Sequence, residues 1–333
     1  MKYTIGADLG GTTSKAAVVS ECGVILARFS KPTGTGKCPQ ERLTGLIAAI
    51  KDALKWSGLH LGVPDCGARV GIAVNSPLED GNIVRFNNNL PELEGFPLRD
   101  YLESQLARSC VLEWDINAAL LGEMWTGAAY GVRRVVMVSV GTGIGVAVSI
   151  DGRLLRWVFN QTPGEFGHMV VEPGGYECTC GGRGCWETRV SRLGVIRAAQ
   201  EVAESLHRPD LLRLSTPKDL SQLADEGDAA ALAVWNTVGR WLGVGIASLV
   251  SIFMPTLVVV GGGISLAGEK LLGPCRSETD RHVGSRLRGT FRIEAAALDR
   301  DSAVVGAAWV ARQEAEAAGP IPIEVNESRM PRV

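Results

Sequence analysis

The first twenty residues, MKYTIGADLGGTTSKAAVVS, decide the fold, because their pattern returns later in the chain. YTIGADL predicts a β-strand, GGTTSK a glycine-rich turn, AAVVS a second strand and VILARF a third. Residues 135–159, VVMVSVGTGIGVAVSIDGRLLRWVF, repeat this order of strand, Gly/Thr turn, strand, tight turn and strand. The two glycine turns, which begin at Gly10 and Gly141, therefore indicate an internal repeat.

The repeat predicts an α/β protein in which two similar domains face one another across a cleft. Helical segments follow each strand meander, for example ERLTGLIAAIKDALKWSG and residues 228–253. VLEWD predicts a strand that ends at Asp115, at the domain junction, where α/β folds tend to place their chemistry. We expect a small N-terminal domain over residues 1–115, completed by a C-terminal helix over 300–315, a large domain over 116–299 and a tail over 316–333.

Composition narrows the class of protein. The 333 residues are 46% hydrophobic and 21% charged, with a net charge of −2, as in an ordinary globular protein. This charge gives no reason to expect a nucleic acid or an anionic membrane as partner. No apolar run reaches the ~18–20 residues of a membrane span, and the N-terminus does not have the pattern of a signal peptide. Eight cysteines in so long a chain argue against a disulfide framework, so we expect a reduced, cytoplasmic protein.

Three glycine turns predict a nucleotide site. Without a Cβ, the backbone N–H groups of such a turn can approach phosphate oxygens, and each of the three follows a predicted strand. The sequence does not match the phosphate loop GxxxxGK[ST]. The residue before the first turn, Asp8, either caps that turn or contacts a phosphate-bound Mg²⁺ through water. The nucleotide-site candidates are Asp8, Gly10, Gly11, Thr12, Thr13, Lys15, Gly141, Thr142, Gly143, Gly261, Gly262 and Gly263.

The stretch GEFGHMVVEPGGYECTCGGRGCWE, residues 164–187, contains one histidine and three cysteines at close intervals. Such a set can form a nucleic-acid-binding zinc finger, a catalytic metal site or a structural brace. The candidate ligands are His168, Cys178, Cys180 and Cys185.

Several motifs together resemble the ROK family (repressors, open reading frames and sugar kinases) of the sugar kinase/actin/Hsp70 superfamily. They are GADLGGTTSKAAVV, WDINAALLGE, VSVGTGIGVAVSIDGRLL, GEFGH, CTCGGRGCWE, MPTLVVVGGGIS and DRDSAVVGAAWVA, which extend from Ile5 to about Arg312. The resemblance implies two RNase H-like domains of the actin-like ATPase fold flanking a cleft, and a homodimer or homotetramer. It also implies that ATP with Mg²⁺ is used to phosphorylate a sugar hydroxyl, commonly the 6-hydroxyl of a hexose.

The resemblance assigns roles to individual residues. Asp115 matches the general base, which agrees with the chemistry: a sugar hydroxyl has a pKa far above 7 and must give up its proton. The glycine turns match the contacts to the nucleotide. The matches to the sugar ligands are Glu165, His168 and Glu187, with Asn88 in the run FNNNL aligned more loosely. The histidine and the three cysteines match the ligands of a structural zinc ion.

A structural role for zinc also agrees with the chemistry of these ligands. One imidazole and three thiolates close a tetrahedral site and leave no position for a catalytic water. The spacing is not that of a DNA-reading finger, and the surroundings are not basic. If zinc takes one imidazole nitrogen of His168, the other nitrogen is oriented toward the sugar. We therefore expect the metal to act as a brace.

Two departures from the family pattern affect the choice of sugar. Trp114, which we place among the substrate-binding residues, stands where the family has an asparagine that binds sugar hydroxyls. AVNSPLEDG, residues 73–81, replaces a Pro-Gly turn. Glucose is the default substrate, with N-acetylated or amino hexoses as alternatives. The family's repressors carry a helix-turn-helix domain ahead of the body, and because the first predicted strand begins within five residues of Met1, we expect no such domain here. A catalytically inactive sugar sensor is a further alternative, against which Asp115 and the intact glycine turns argue.

Overall fold

The computed structural model describes residues 3–61, 69–87, 89–156, 165–213 and 216–315. Its strands are β1 (Tyr3–Leu9), β2 (Thr13–Ser20), β3 (Ile25–Pro32), β4 (Val70–Val74), β5 (Leu78–Glu79), β6 (Ile83–Val84), β7 (Cys110–Trp114), β8 (Val135–Val140), β9 (Ile144–Ile150), β10 (Arg153–Leu154), β11 (Leu257–Gly261) and β12 (Arg292–Ala295). Its α-helices are α1 (Pro39–Arg42), α2 (Thr44–Leu61), α3 (Leu98–Leu106), α4 (Asp115–Thr126), α5 (Glu187–Val190), α6 (Arg192–Leu206), α7 (Pro217–Asp225), α8 (Ala229–Phe253), α9 (Glu269–His282) and α10 (Ser302–Ala315).

Two five-stranded sheets share one topology. The first has the order β3-β2-β1-β4-β7 and the second β10-β9-β8-β11-β12. In the first, β1 pairs antiparallel with β2 and parallel with β4, and β4 pairs parallel with β7. In the second, β11 pairs parallel with both β8 and β12. Each sheet thus consists of a three-stranded meander and two further strands, which is the arrangement that the repeated glycine turns predict.

The chain forms two compact units. The first is built from Met1–Arg133, Ala147–Pro163 and a C-terminal part that begins at Ala297. The second is built from Arg134–Val146 and Gly164–Ala296. Helix α4, which begins at Asp115, belongs to the first unit, and the domain division that we expected after Asp115 stays a prediction. Within the described residues, no helix combines the length and the apolar character that crossing a bilayer requires.

The first unit buries both faces of its sheet. On one face Ile5, Ile72 and the helix residues Leu46 and Ile50 are fully buried in one cluster. On the other face α10 packs on β1, β4 and α4, and its side chain Trp309 belongs to a second buried cluster. Burial of this apolar area stabilises the unit by roughly 25 cal/mol per Å².

Helix α10 approaches its neighbours at glycines. A Cβ at Gly306 would lie 1.6 Å from the carbonyl oxygen of Ala118, and one at Gly122 would lie 2.3 Å from that of Ser302. The same holds at the sheet, where a Cβ at Gly71 would lie 1.8 Å from the carbonyl oxygen of Ala307. The backbones of α4, α10 and the sheet are therefore in direct contact, and these positions have no room for a larger residue.

A buried carboxylate fixes the start of α10. Glu123, in α4, is fully buried and accepts hydrogen bonds from the N–H groups of Ala297 (3.0 Å) and Leu298 (2.9 Å). The hydroxyl of Ser302 donates to it at 2.7 Å, and the N–H of Ala128 at 2.8 Å. Hydrogen bonds to a charged group contribute about 1.5–3 kcal/mol each, so this carboxylate holds the returning chain firmly against α4.

Element boundaries differ from the sequence predictions at three places. The strand expected to end at Asp115 ends at Trp114, and Asp115 opens α4, where a carboxylate interacts favourably with the helix N-terminus. The long helical segment before residue 61 is divided into α1 and α2 at Leu43. The third strand of the second meander is described only at Arg153–Leu154.

Gly306→Ala should lower the free energy of unfolding by about 1–3 kcal/mol or more, because the new methyl group meets the backbone of α4. The matched control is Gly58→Ala, in the exposed part of α2, where a Cβ meets nothing within 4 Å. That change should raise the free energy of unfolding by up to about 1 kcal/mol, since alanine favours a helix. Denaturant titration of both variants checks this, and equal effects at the two positions would contradict the packing of α10.

Candidate active site

Three neighbouring parallel strands of the first sheet end at the same edge. The register aligns Leu9 of β1 with Val74 of β4, and Val74 with Trp114 of β7. The residues that follow these strands are Gly10, Asn75 and Asp115. The first glycine turn and the predicted general base therefore lie at one sheet edge, with an asparagine between them that the sequence analysis did not single out.

Asp115 is half-buried and has two hydrogen-bond donors. Its Oδ1 accepts from the N–H of Ile116 at 2.7 Å, and its Oδ2 accepts from Nδ2 of Asn75 at 3.0 Å. Burial and, second, the negative charge of Asp8 raise the pKa of Asp115 to about 7, while the two hydrogen bonds oppose this. At neutral pH this carboxyl group can therefore both take up and release a proton.

Asp8, near the end of β1, is the second carboxylate of this edge. Burial raises its pKa above the ordinary value, and the positive charge of Lys15 opposes that effect. The antiparallel register places Asp8 opposite Lys15 of β2. The Nζ atom of Lys15 also donates to the carbonyl oxygen of Arg300 at 3.2 Å, which ties this lysine to the segment before α10.

In the first glycine turn, the space for a side chain is filled at Gly10 and free at Gly11. A Cβ at Gly10 would lie 2.5 Å from the carbonyl oxygen of Thr13, and the hydroxyl of Thr33 donates to the Gly10 carbonyl at 2.7 Å. Around an ideal Cβ of Gly11, in contrast, the nearest atom is 3.9 Å away. Gly11 and Thr12 are exposed, so the backbone here is accessible to an anionic group.

The second and third glycine turns are neighbours in the second unit. The parallel register pairs Gly261 of β11 with Ser139 of β8. Gly262 has a φ of +86°, and its Cβ would lie 2.4 Å from the carbonyl oxygen of Val140. The exposed Thr142 forms the tip of the second turn. Two glycine turns at adjacent strand ends present several N–H groups to one region, as a nucleotide phosphate site requires.

Glu187 supports the second turn. Its Oε2 accepts from the N–H of Ile144 at 3.1 Å, and a Cβ at Gly143 would lie 2.4 Å from the same oxygen. This carboxylate, which the resemblance placed at the sugar, therefore contacts the predicted nucleotide turn directly. Glu165 is exposed beside the short 3-10 helix Phe166–His168, and its carbonyl oxygen accepts from the N–H of His168 at 2.9 Å.

The histidine and the three cysteines form one cluster. The ligand atoms of His168, Cys178, Cys180 and Cys185 all lie within 4.8 Å of one another. Nδ1 of the histidine is 3.5 Å from Sγ of Cys178, and Sγ of Cys180 is 3.7 Å from Sγ of Cys185. The N–H of Gly182 donates to Sγ of Cys180, and this hydrogen bond is the main cause of the lowered pKa of that thiol.

The other residues that were predicted to bind the sugar are Trp114 and Asn88. Trp114 is half-buried at the end of β7, and its N–H donates at 2.9 Å to Glu113, a buried carboxylate that is paired with Arg156. Asn88 lies outside the described residues. Its neighbour Asn89 donates through Nδ2 to Oδ1 of Asn75 at 2.9 Å. The sequence FNNNL predicted that this loop contributes to the site. It did not predict which of its asparagine side chains is linked to Asp115 through the hydrogen bonds of Asn75.

Comparison with known proteins bears on this arrangement. A family model described as ROK family matches residues 4–314. The chain belongs to the ROK family. The glucokinase of Thermotoga maritima is 34% identical over 93% of this chain and 97% of its own length. The glucokinase of Halalkalibacterium halodurans is 33% identical over 94% of this chain and 96% of its own.

A solved structure extends the comparison to the fold. The ROK family glucokinase from Streptomyces griseus, in complex with glucose and AMPPNP, has 34% sequence identity and a TM-score of 0.79. The match covers 94% of this chain and 100% of that chain. The ROK hexokinase of Thermus thermophilus matches with a TM-score of 0.74 at 30% identity. The predicted family and the predicted fold class, the α/β actin-like ATPase fold, are confirmed.

Proposed function

We propose that this chain transfers the γ-phosphoryl group of ATP to a hydroxyl of a hexose, with Asp115 as the general base. The chain is an ATP-dependent sugar kinase, as membership of the ROK family and its glucokinase relatives at 33–34% identity indicate. The observation that carries the residue assignment is the half-buried Asp115 at the edge of the first sheet, with its pKa raised to about 7.

The raised pKa suits the proposed role of Asp115. A sugar hydroxyl becomes a good nucleophile only as it loses its proton, and a base whose pKa lies near the working pH takes that proton most effectively. As the new P–O bond forms, the bond between the γ-phosphorus and the bridging oxygen breaks and ADP leaves. Below pH 7 an increasing fraction of Asp115 is protonated and cannot accept the proton.

The glycine turns supply the nucleotide side of the reaction. The N–H groups around Gly11, Thr142 and Gly263 are proposed to bind the phosphates and the adenosine of ATP, because a Cβ at Gly263 meets nothing within 4 Å and the two other positions are exposed. Mg²⁺ bound with ATP neutralises charge on the transferred group. Asp8, at the end of β1, is suited to hold that ion through a water molecule.

The proposed sugar side comprises Glu165, His168 and Glu187. Carboxylates and an imidazole fix hydroxyl positions by hydrogen bonds, so that an epimer with a displaced hydroxyl leaves them unpaired. Glucose is the proposed substrate, since three of the four relatives named above are glucokinases. An N-acetylated or amino hexose is the alternative, because Trp114 stands where the family has an asparagine that binds sugar hydroxyls. A homodimer or homotetramer and a cytoplasmic location remain predictions from the resemblance and the composition.

A structural zinc ion fits the histidine–cysteine cluster. A tetrahedral Zn²⁺, with Zn–S at about 2.3 Å and Zn–N at about 2.0–2.1 Å, separates its ligand atoms by about 3.6–3.8 Å. The 3.5 Å between His168 and Cys178 and the 3.7 Å between Cys180 and Cys185 agree with this spacing. Because Nδ1 faces the sulfur atoms, Nε2 of His168 remains for the sugar.

Asp115→Asn should reduce kcat by about 100-fold or more, since general-base catalysis contributes ~10²–10⁴-fold. The amide keeps the shape of the side chain, so the affinities for hexose and ATP should change little. Steady-state kinetics with coupled ADP detection, and calorimetric titration of both ligands, check this. The control is Asp100→Asn, at an exposed carboxylate that also accepts a hydrogen bond from an asparagine, Asn82, at 2.8 Å. A kcat above about a hundredth of the wild-type value would remove Asp115 from its role.

Elemental analysis should find one zinc ion per chain, and Cys180→Ser should lose it. Sugar affinity should fall together with the metal, because His168 then loses its anchor. Cys22→Ser, at an exposed cysteine remote in sequence from the cluster, is the control and should keep both. Full activity of zinc-free protein supplied with Mg²⁺ would contradict the brace.

A further inference from the structure

Asn75 is the first residue after β4 and connects two parts of the site. Its Nδ2 donates to Oδ2 of Asp115 at 3.0 Å, and its Oδ1 accepts from Nδ2 of Asn89 at 2.9 Å. The connection follows from the fold, because the register that aligns Val74 with Trp114 brings the two following residues side by side. Asn75 and Asp115, which are 40 positions apart in the sequence, are thereby joined by one hydrogen bond.

The orientation of the Asn75 amide is set by chemistry. An ionised carboxylate only accepts hydrogen bonds, so Asn75 turns its NH₂ group toward Asp115 when Asp115 is ionised. Its carbonyl oxygen then faces the opposite way and needs a donor, which the NH₂ group of Asn89 provides. When Asp115 is ionised, the three side chains therefore form a directed series of hydrogen bonds in which each amide has one orientation.

The far end of this chain is anchored in a buried turn. Asn87 is only 4% exposed, and its Oδ1 accepts from the N–H groups of Asn89 (3.1 Å) and Leu90 (2.7 Å). This turn fixes the backbone of Asn89. The Cβ of Asn89 also lies 3.9 Å from the ideal Cβ position of Gly11, so the chain of amides runs from the first glycine turn to Asp115.

The charged groups around Asp115 give this hydrogen bond its importance. Asp8 on β1 repels the Asp115 carboxylate, and the positive charge of Lys15 on β2, opposite Asp8, favours the ionised form of Asp8. On β7, Glu113 is paired with Arg156. Burial and Asp8 disfavour the ionised carboxylate, whereas the bond from Asn75 favours it. Ile116 holds the other carboxylate oxygen, so the two donors together fix the plane of the group.

We propose that Asn75 is a positioning residue of the kinase reaction, which holds the Asp115 carboxylate in the orientation that receives the proton of the hexose hydroxyl. The inference rests on the proposed function, because it assigns Asn75 a task only if Asp115 is the base. Since Asn75 and Asn89 are both exposed, the arrangement stands at the open side of the sheet edge, where a substrate can reach it.

The test compares the pH profile of kcat/KM for glucose in the wild type, Asn75→Ala and Asn75→Asp. Asn75→Ala removes the donor, so the acidic limb should move to higher pH by about 0.5–1 unit. Asn75→Asp places a second carboxylate against Asp115 with the same shape, and the limb should move up by about one unit or more. At pH 7, kcat/KM should fall about two- to fivefold in the first variant and more in the second.

Asn82→Asp is the matched control. Asn82 also donates its Nδ2 to an aspartate, Asp100, at 2.8 Å, so the same chemical change occurs away from Asp115, and the wild-type profile should remain. If the melting curve shows that Asn75→Asp does not fold, the pH profile of Asn75→Ala alone tests the role of Asn75. Unshifted acidic limbs in an active enzyme would overturn the role of Asn75. A wild type that phosphorylates no hexose would instead overturn the proposed function, on which the role depends.

Discussion

The parallel register of β1, β4 and β7 is the constraint on which the site depends. It aligns Leu9, Val74 and Trp114, so the chain leaves the sheet three times at one edge. Each exit carries a different group: a glycine turn, an amide and a carboxylate. Together with burial, the proximity of Asp8 makes the carboxylate of Asp115 harder to ionise and moves its pKa into the neutral range. The same interactions that disfavour the ionised carboxylate in the folded protein give Asp115 the near-neutral pKa that a general base needs.

In each unit, hydrogen bonds and close contacts restrict the positions of the functional groups. In the first unit α4 begins with Asp115 and contains Glu123, which accepts three hydrogen bonds that fix the return of the chain into α10. In the second unit the cysteine loop leads through the buried Trp186 directly to Glu187, whose carboxylate supports the turn at Gly143. The proposed metal, sugar and nucleotide groups of that unit are thus joined within a short stretch of chain.

The sequence was informative where function depends on local pattern. Glycine turns after apolar strands, the carboxylate after VLEW and the histidine–cysteine spacing are short-range signals. Together with the family resemblance, they predicted the fold class and the candidate site residues. Asn75 and Asn89 were not identified, because their importance arises from a register between distant strands that no local pattern encodes. The support of Gly143 by Glu187 was missed for the same reason. The end of β7 was placed one residue late, since a carboxylate can close a strand or open a helix equally well.

The central claim is that the fold gives Asp115 a pKa near neutrality, and a titration of this one carboxyl group tests it most directly. The side-chain carboxyl carbons of the aspartates can be labelled with carbon-13 and followed by NMR as the pH changes. The signal that disappears in Asp115→Asn belongs to Asp115. Our account predicts a titration midpoint at about pH 7 for this signal in the ligand-free protein. A midpoint at about pH 4, the ordinary range of an exposed aspartate, would contradict it.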